Sequence, residues 1–158
     1  FTYTPQAALA DGVKAIEITA SDNDGNAAAK VSASFTVDTV PPTLTLSSPQ
    51  TGLITNQKSC VVNGVTNDAL SSPVTVTITH GSNSYKPSIG SNGAFSQALT
   101  LTEGTKTNTL VPNQAAGKTT TITLPVKLDT SVPTVKSAVF APNPVNASAS
   151  VQITLEVE

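Results

Sequence analysis

Methionine and tryptophan are absent from the 158 residues, and cysteine and histidine occur once each. A single cysteine excludes an internal disulfide and leaves the redox compartment open. A single histidine makes His80 the only base available to a Ser-His-Asp or Cys-His arrangement. Charge is scarce too: 11% of the residues are charged and the formal net charge is -2. With no basic stripe to neutralise phosphates, no nucleic-acid partner is expected. No apolar run approaches the roughly 20 residues a membrane-spanning helix needs, so no membrane insertion is expected. The chain starts at Phe1 without a basic-then-apolar leader and stops within the alternation TLEVE, which reads as a piece of a longer protein.

What the sequence has in quantity is Thr, Ser, Val and Asn, a bias toward strands and turns that predicts an all-β fold. It also has a repeat. DTVPPTLTL (38–46) returns as DTSVPTVKS (129–137). Asp38 and Asp129 are 91 positions apart, whereas Tyr3 and Phe95, Gly12 and Gly104, and Gly25 and Gly117 are 92 apart. A period of about 91 residues suits one β-sandwich module of the roughly 100-residue class. On this register residues 1–39 hold the last three strands of a truncated repeat. Residues 40–130 form a complete repeat, and 131–158 hold the first two strands of a further truncated one.

Inside the complete repeat, alternating segments bounded by Gly, Pro, Asn or Asp predict seven strands, near 43–47, 58–66, 73–80, 83–89, 94–101, 106–112 and 119–128. In VTVTITH (74–80) the valines and Ile78 face one side and the threonines the other. Asn92-Gly93 and Asp24-Gly25 are hairpin signals, because a tight primed turn needs positive φ at its centre. Pro41-Pro42 and Pro133 restrict the backbone just before each new module, which predicts short, stiff joints.

The run DGVKAIEITASDNDGN (11–26) followed by FTVDTVPPTLTLSSP (35–49) resembles bacterial immunoglobulin-like (Big-type) repeats of large secreted adhesins and cell-surface proteins. The resemblance implies an immunoglobulin-like Greek-key β-sandwich, neighbouring repeats of the same protein as partners, and an extracellular or cell-surface address. The second copy departs from the pattern, with Gln114 where the first has Asp22 and Lys118 where it has Asn26.

Candidate sites are few. Cys60, on the predicted second strand, is expected to be a buried free thiol acting as a small hydrophobe. His80 ends an alternating strand beside Gly81, and an exposed strand-end residue is expected; no enzyme activity is expected. SDNDGN (21–26) looks superficially like a calcium loop but lacks the later bidentate Glu, and an Asp-stabilised hairpin is the stronger reading. Asp11 precedes one strand and Asp38 ends the last, so both belong at the pole facing the next module, where Asp68 occupies an inter-strand loop. Related tandem repeats bind calcium at such joints, which makes Asp11, Asp38 and Asp68 a candidate interdomain metal site, against the alternative of solvated charges. No other cofactor is expected.

Two functions follow from these readings. The first is a non-catalytic structural spacer that presents a functional head in a tandem array. The alternative is a carbohydrate-binding accessory module of an extracellular enzyme or adhesin. With Tyr3 aligned to Phe95 and expected in a core, Tyr85 is the aromatic left to contact a sugar. The truncated flanks carry apolar strand faces that need cover, which predicts head-to-tail self-association of the chain.

Overall fold

The computed structural model describes residues 2–158, and among them are twelve strands and no helix. In chain order the strands are β1 (Gly12–Ile18), β2 (Val31–Val37), β3 (Thr43–Ser48), β4 (Leu53–Thr55), β5 (Ser59–Asn67) and β6 (Thr75–His80). β7 (Asn83–Tyr85), β8 (Ala94–Thr100), β9 (Gly104–Asn113), β10 (Ile122–Leu128), β11 (Val135–Ala141) and β12 (Gln152–Val157) follow. β1 and β2 form a two-stranded sheet, as do β11 and β12. Between them β3-β5-β8 form one sheet and β4-β10-β9-β6-β7 another. The chain is all-β, and its central unit is a β-sandwich.

Alternation in the sequence builds that sandwich. Along β5, Cys60, Val62, Gly64 and Thr66 point inward while the residues between them are mostly exposed, because side chains alternate across a strand. β6 turns Val76, Ile78 and His80 inward in the same way. Leu44, Cys60, Val62 and Phe95 of the first sheet share one core with Val76, Ile78, Leu110, Leu124 and Val126 of the second. At roughly 25 cal/mol per Å² of apolar surface removed from water, this core is the main favourable term in folding. Gly64 leaves the space that the Phe95 ring fills: a Cβ there would come within 2.8 Å of Phe95 Cζ.

Four expectations need correcting. The central unit has eight strands rather than seven, because β4, only three residues long, leaves the sheet of β3 and pairs in parallel with Val126–Leu128. A three-residue pairing is too short to leave a periodic signal. β7 ends at Tyr85 instead of running on to residue 89. The described residues of the 1–39 segment contribute two strands rather than three, and Tyr3 is 73% exposed rather than buried. In the complete repeat Phe95 lies on β8, which pairs with β5, and the first segment holds no counterpart of β5 for Tyr3 to pack beneath.

Candidate functional site at the inter-repeat joint

The repeated phrase is a hydrogen-bonded joint. Where β2 gives way to β3, Asp11 accepts from Thr39 twice, its Oδ1 from the backbone N–H at 3.0 Å and its Oδ2 from the hydroxyl at 3.1 Å. Where β10 gives way to β11, Glu103 holds Thr130 in the same way, with N–H to Oε1 at 3.2 Å and hydroxyl to Oε2 at 2.8 Å. Asp38 Oδ1 caps the Val40 N–H at 3.1 Å, and Asp129 Oδ1 caps Ser131 at 3.2 Å. In both copies a glycine with positive φ, Gly12 or Gly104, follows the clamping carboxylate and starts the strand. A carboxylate that accepts two donors from one threonine removes much of that residue's freedom, so each joint leaves its module in a set direction.

The first joint also reaches into the module that follows. Gln114 Nε2, in the β9–β10 turn, donates to Asp38 Oδ2 at 3.0 Å across 76 residues of sequence. Asp38 is 8% exposed and Gln114 is 6% exposed, so this bond is sheltered from water. A hydrogen bond to a buried carboxylate is charge-assisted and shorter-ranged competitors are excluded, which makes it worth more than a neutral one. Thr120 adds a second tie by donating its hydroxyl to the Pro42 carbonyl at 2.8 Å. At the second joint Asp129 instead meets Lys127 at 2.9 Å in a half-exposed pair. That hydrogen bond holds the Asp129 carboxyl below the usual carboxylate range and raises Lys127. Gln114 occupies the place that Asp22 has in the first copy, so the substitution that breaks the repeat pattern is the one that makes the inter-module bond. Nothing in one copy read alone would reveal it.

The three carboxylates proposed as a calcium site take separate partners. Asp68 Oδ1 caps the Leu70 and Ser71 N–H groups at 2.9 and 2.8 Å, while Asp11 and Asp38 are engaged as described. Asp38 and Asp68 line one cavity of about 250 Å³ beside Pro41 and Leu70, without Asp11. Among the described residues no three His, Cys, Asp or Glu side chains come together as a metal site. The SDNDGN turn is held by Asp22, whose Oδ1 accepts from the Asp24 and Asn26 N–H groups at 3.1 and 2.8 Å. Asn26 Nδ2 donates to its Oδ2 at 2.7 Å, and these bonds, led by the Asn26 side chain, lower the Asp22 pKa.

His80 is buried, at 2% exposure, rather than at an exposed strand end. Its Nδ1 lies 2.7 Å from Asn108 Oδ1, and Asn108 Nδ2 donates to the Leu124 carbonyl at 2.9 Å. The alternation that turns Val76 and Ile78 inward carries to His80, four and two residues on, although Gly81 ends the strand directly after it. Cys60 is buried and free, and burial pushes its thiol pKa up. Tyr85 is half-buried and packs against the central core.

No curated protein sequence matches this chain. Among solved structures it is similar to the fibronectin(III)-like modules of Clostridium thermocellum CbhA, at 13% identity and a TM-score of 0.46, over 77% of this chain and 64% of that one. It is also similar to an engineered protein solved by crystallography, at 21% identity and a TM-score of 0.43, over 56% of this chain and 20% of that one. The chain spans less than two thirds of the length of either. The family described as Glucodextranase, domain B matches residues 42–130, the stretch from just before β3 to just after β10 and more than half of the chain. That stretch is the sandwich whose repeat pattern suggested an immunoglobulin-like module, and through it the chain belongs to the Glucodextranase domain B family, which has an immunoglobulin-like fold.

Proposed function

We propose that the chain is a non-catalytic spacer, in which serial immunoglobulin-like sandwiches of the Big type are set end to end by hydrogen-bonded proline joints to present a functional head at the cell surface or in a secreted protein. The observation that carries this reading is the joint itself: the same carboxylate-to-threonine clamp at Asp11 and Glu103, with Asp38 tied to Gln114 of the following module. A spacer works by transmitting direction, and direction is lost if each joint samples many angles. The two groups best suited to nucleophilic or acid-base work, Cys60 and His80, are buried in the sandwich interior. Small-angle X-ray scattering tests the reading, with an extended particle of narrow size distribution expected in solution. A broad distribution of compact and extended shapes would contradict it.

The family's name, a domain of a glucodextranase, favours a second reading as a carbohydrate-binding accessory module. Against it stands Tyr85, which is half-buried against the core and so gives less of its ring to a sugar than an exposed aromatic would. A glycan array separates the two: the spacer reading expects no selective binding, and selective binding abolished by Tyr85→Ala would favour the second.

A further inference from the structure

The complete repeat contains two Asn-Gly pairs, Asn63-Gly64 and Asn92-Gly93, and the fold treats them differently. An asparagine before glycine can cyclise onto the next peptide nitrogen, because no Cβ shields that nitrogen and the backbone turns freely there. Asn63 lies in the middle of β5, with Ser48 opposite it on β3 and Ser96 opposite it on β8. Gly64 is buried, and a Cβ on it would stand 2.6 Å from the Thr45 carbonyl oxygen and 2.8 Å from Phe95 Cζ. That peptide has no room to turn unless the sandwich opens. Asn92, in contrast, is exposed in the connection between β7 and β8.

The turn around Asn92 is closed by short backbone bonds. The Gly93 N–H donates to the Gly90 carbonyl at 2.9 Å and the Gly90 N–H to the Ala94 carbonyl at 2.8 Å. Gly93, at a φ of +78°, offers its own carbonyl to the Thr66 N–H at 2.9 Å, which ties the turn to β5. Inside the turn the Asn92 side chain folds back, with Oδ1 accepting from the Ala94 N–H at 3.1 Å. A Cβ on Gly90 would lie 3.0 Å from that same oxygen. An asparagine bonded in this way to the backbone two residues on carries its side-chain amide beside the intervening peptide nitrogen, here that of Gly93. The Ala94 N–H also points at the oxygen on which negative charge develops when Cγ is attacked, the part an oxyanion-hole donor plays.

We propose that Asn92 is a self-modification site, which the folded chain deamidates with water while Asn63 is kept intact. The Gly93 nitrogen, giving its proton to a base from solvent, attacks Asn92 Cγ; a C–N bond forms, the Cγ–Nδ2 bond breaks, and the amide leaves as ammonia. Water then opens the cyclic imide at either carbonyl, leaving aspartate or isoaspartate, and no oxidant or reductant takes part. The Gly93–Gly90 bond has to open first, which a surface turn does locally, whereas Asn63 reacts only when β5 is stripped from both of its neighbours. The product alters one pole of the sandwich. Asn92 and Asp68 line the same cleft of about 440 Å³, so a second carboxylate enters it. In isoaspartate the main chain runs through the former side chain and gains a methylene, which displaces the Gly93 carbonyl from Thr66. Thr66 pairs with Leu44 just past Pro42, so the change falls beside the first joint. The reaction needs only water and stands independently of the spacer reading.

Incubation of the whole chain at neutral and mildly alkaline pH, followed by peptide mapping with electron-transfer fragmentation, tests this. Asn92 should convert first, mainly to isoaspartate, with ammonia released in step and a rate that rises with pH as base takes the Gly93 proton. Asn63 should convert at least about tenfold more slowly while the chain is folded, and catch up in concentrated urea, where both pairs meet the same solvent. Urea below the unfolding transition should speed Asn63 and leave Asn92 nearly unchanged, because denaturant acts in proportion to the surface an opening exposes. Asn92→Gln, which would have to close a larger ring, should abolish the fast ammonia release, and its thermal transition serves as the folding control. Equal conversion of Asn63 and Asn92 in the folded chain would overturn the proposal. So would an Asn92 no faster than the exposed Asn83, or fast release that persists in Asn92→Gln.

Discussion

Replacing Asp38 with alanine should loosen the first joint while leaving the sandwich intact. The carboxylate accepts two hydrogen bonds, from Val40 N–H at 3.1 Å and from Gln114 Nε2 at 3.0 Å. The Val40 bond is local and its donor can turn to water once the linker moves. The Gln114 bond is the one that holds the linker to the following module, and hydrogen bonds to charged groups are worth about 1.5 to 3 kcal/mol net. Taking about 2 kcal/mol, the ratio of loosened to closed joint rises roughly 30-fold, since each 1.4 kcal/mol is tenfold. Gln114 lies in a turn, so after the linker swings away its amide is hydrated and the sandwich core, centred on Val62, Leu110 and Leu124, is unaffected. Backbone ¹⁵N relaxation reads both effects: residues 12–37 should acquire faster independent tumbling relative to 43–128, and the melting temperature of the central module should move little. Unchanged relaxation in Asp38→Ala would show that the prolines and the Asp11 clamp hold the joint without the buried bond, and the reasoning would be refuted.

Asn108→Ile places in the core the residue that the first repeat has at this position, Ile16, but strands His80 Nδ1 and the Leu124 carbonyl. A loss of about 1 to 3 kcal/mol per orphaned buried group is expected in chemical denaturation, and His80→Phe added to it should recover part of that loss; additive losses would show that the two side chains are not coupled. Cys60→Ser should cost about 1 to 3 kcal/mol by putting a hydroxyl into an apolar site, and the native thiol, raised by burial, should react slowly with a bulky maleimide. Rapid labelling under native conditions would contradict the burial. Asp22 is lowered chiefly by the Asn26 side-chain bond, so its folded value lies below its unfolded one and the hairpin gains stability that is present above the ordinary carboxylate range. That gain should fade as pH falls through the folded value, visible as fraying of residues 21–27 in amide exchange at acid pH, and Asp22→Asn should remove the pH dependence.

The period of about 91 residues, the alternation and the turn-formers make a β-sandwich legible in the sequence, because strand burial follows a period of two and turns demand particular residues wherever they occur. Even the inward direction of His80 is present in VTVTITH, whose alternation runs to its last residue. What stayed hidden depends on residues far apart in the chain. Nothing near Gln114 indicates that its amide meets a carboxylate 76 residues away, and nothing near Asn108 indicates that it bridges His80 and the Leu124 carbonyl. The same is true of β4, whose three residues are a strand only because the end of β10 lies beside them. Asp11, Asp38 and Asp68 share a pole by topology, yet Asp38 and Asp68 each cap N–H groups two or three residues on, and Asp11 is taken by Thr39 at the end of the paired strand. Tyr3 matches Phe95 in sequence and differs in burial because a side chain is buried by its neighbours, and those are decided by the tertiary structure alone.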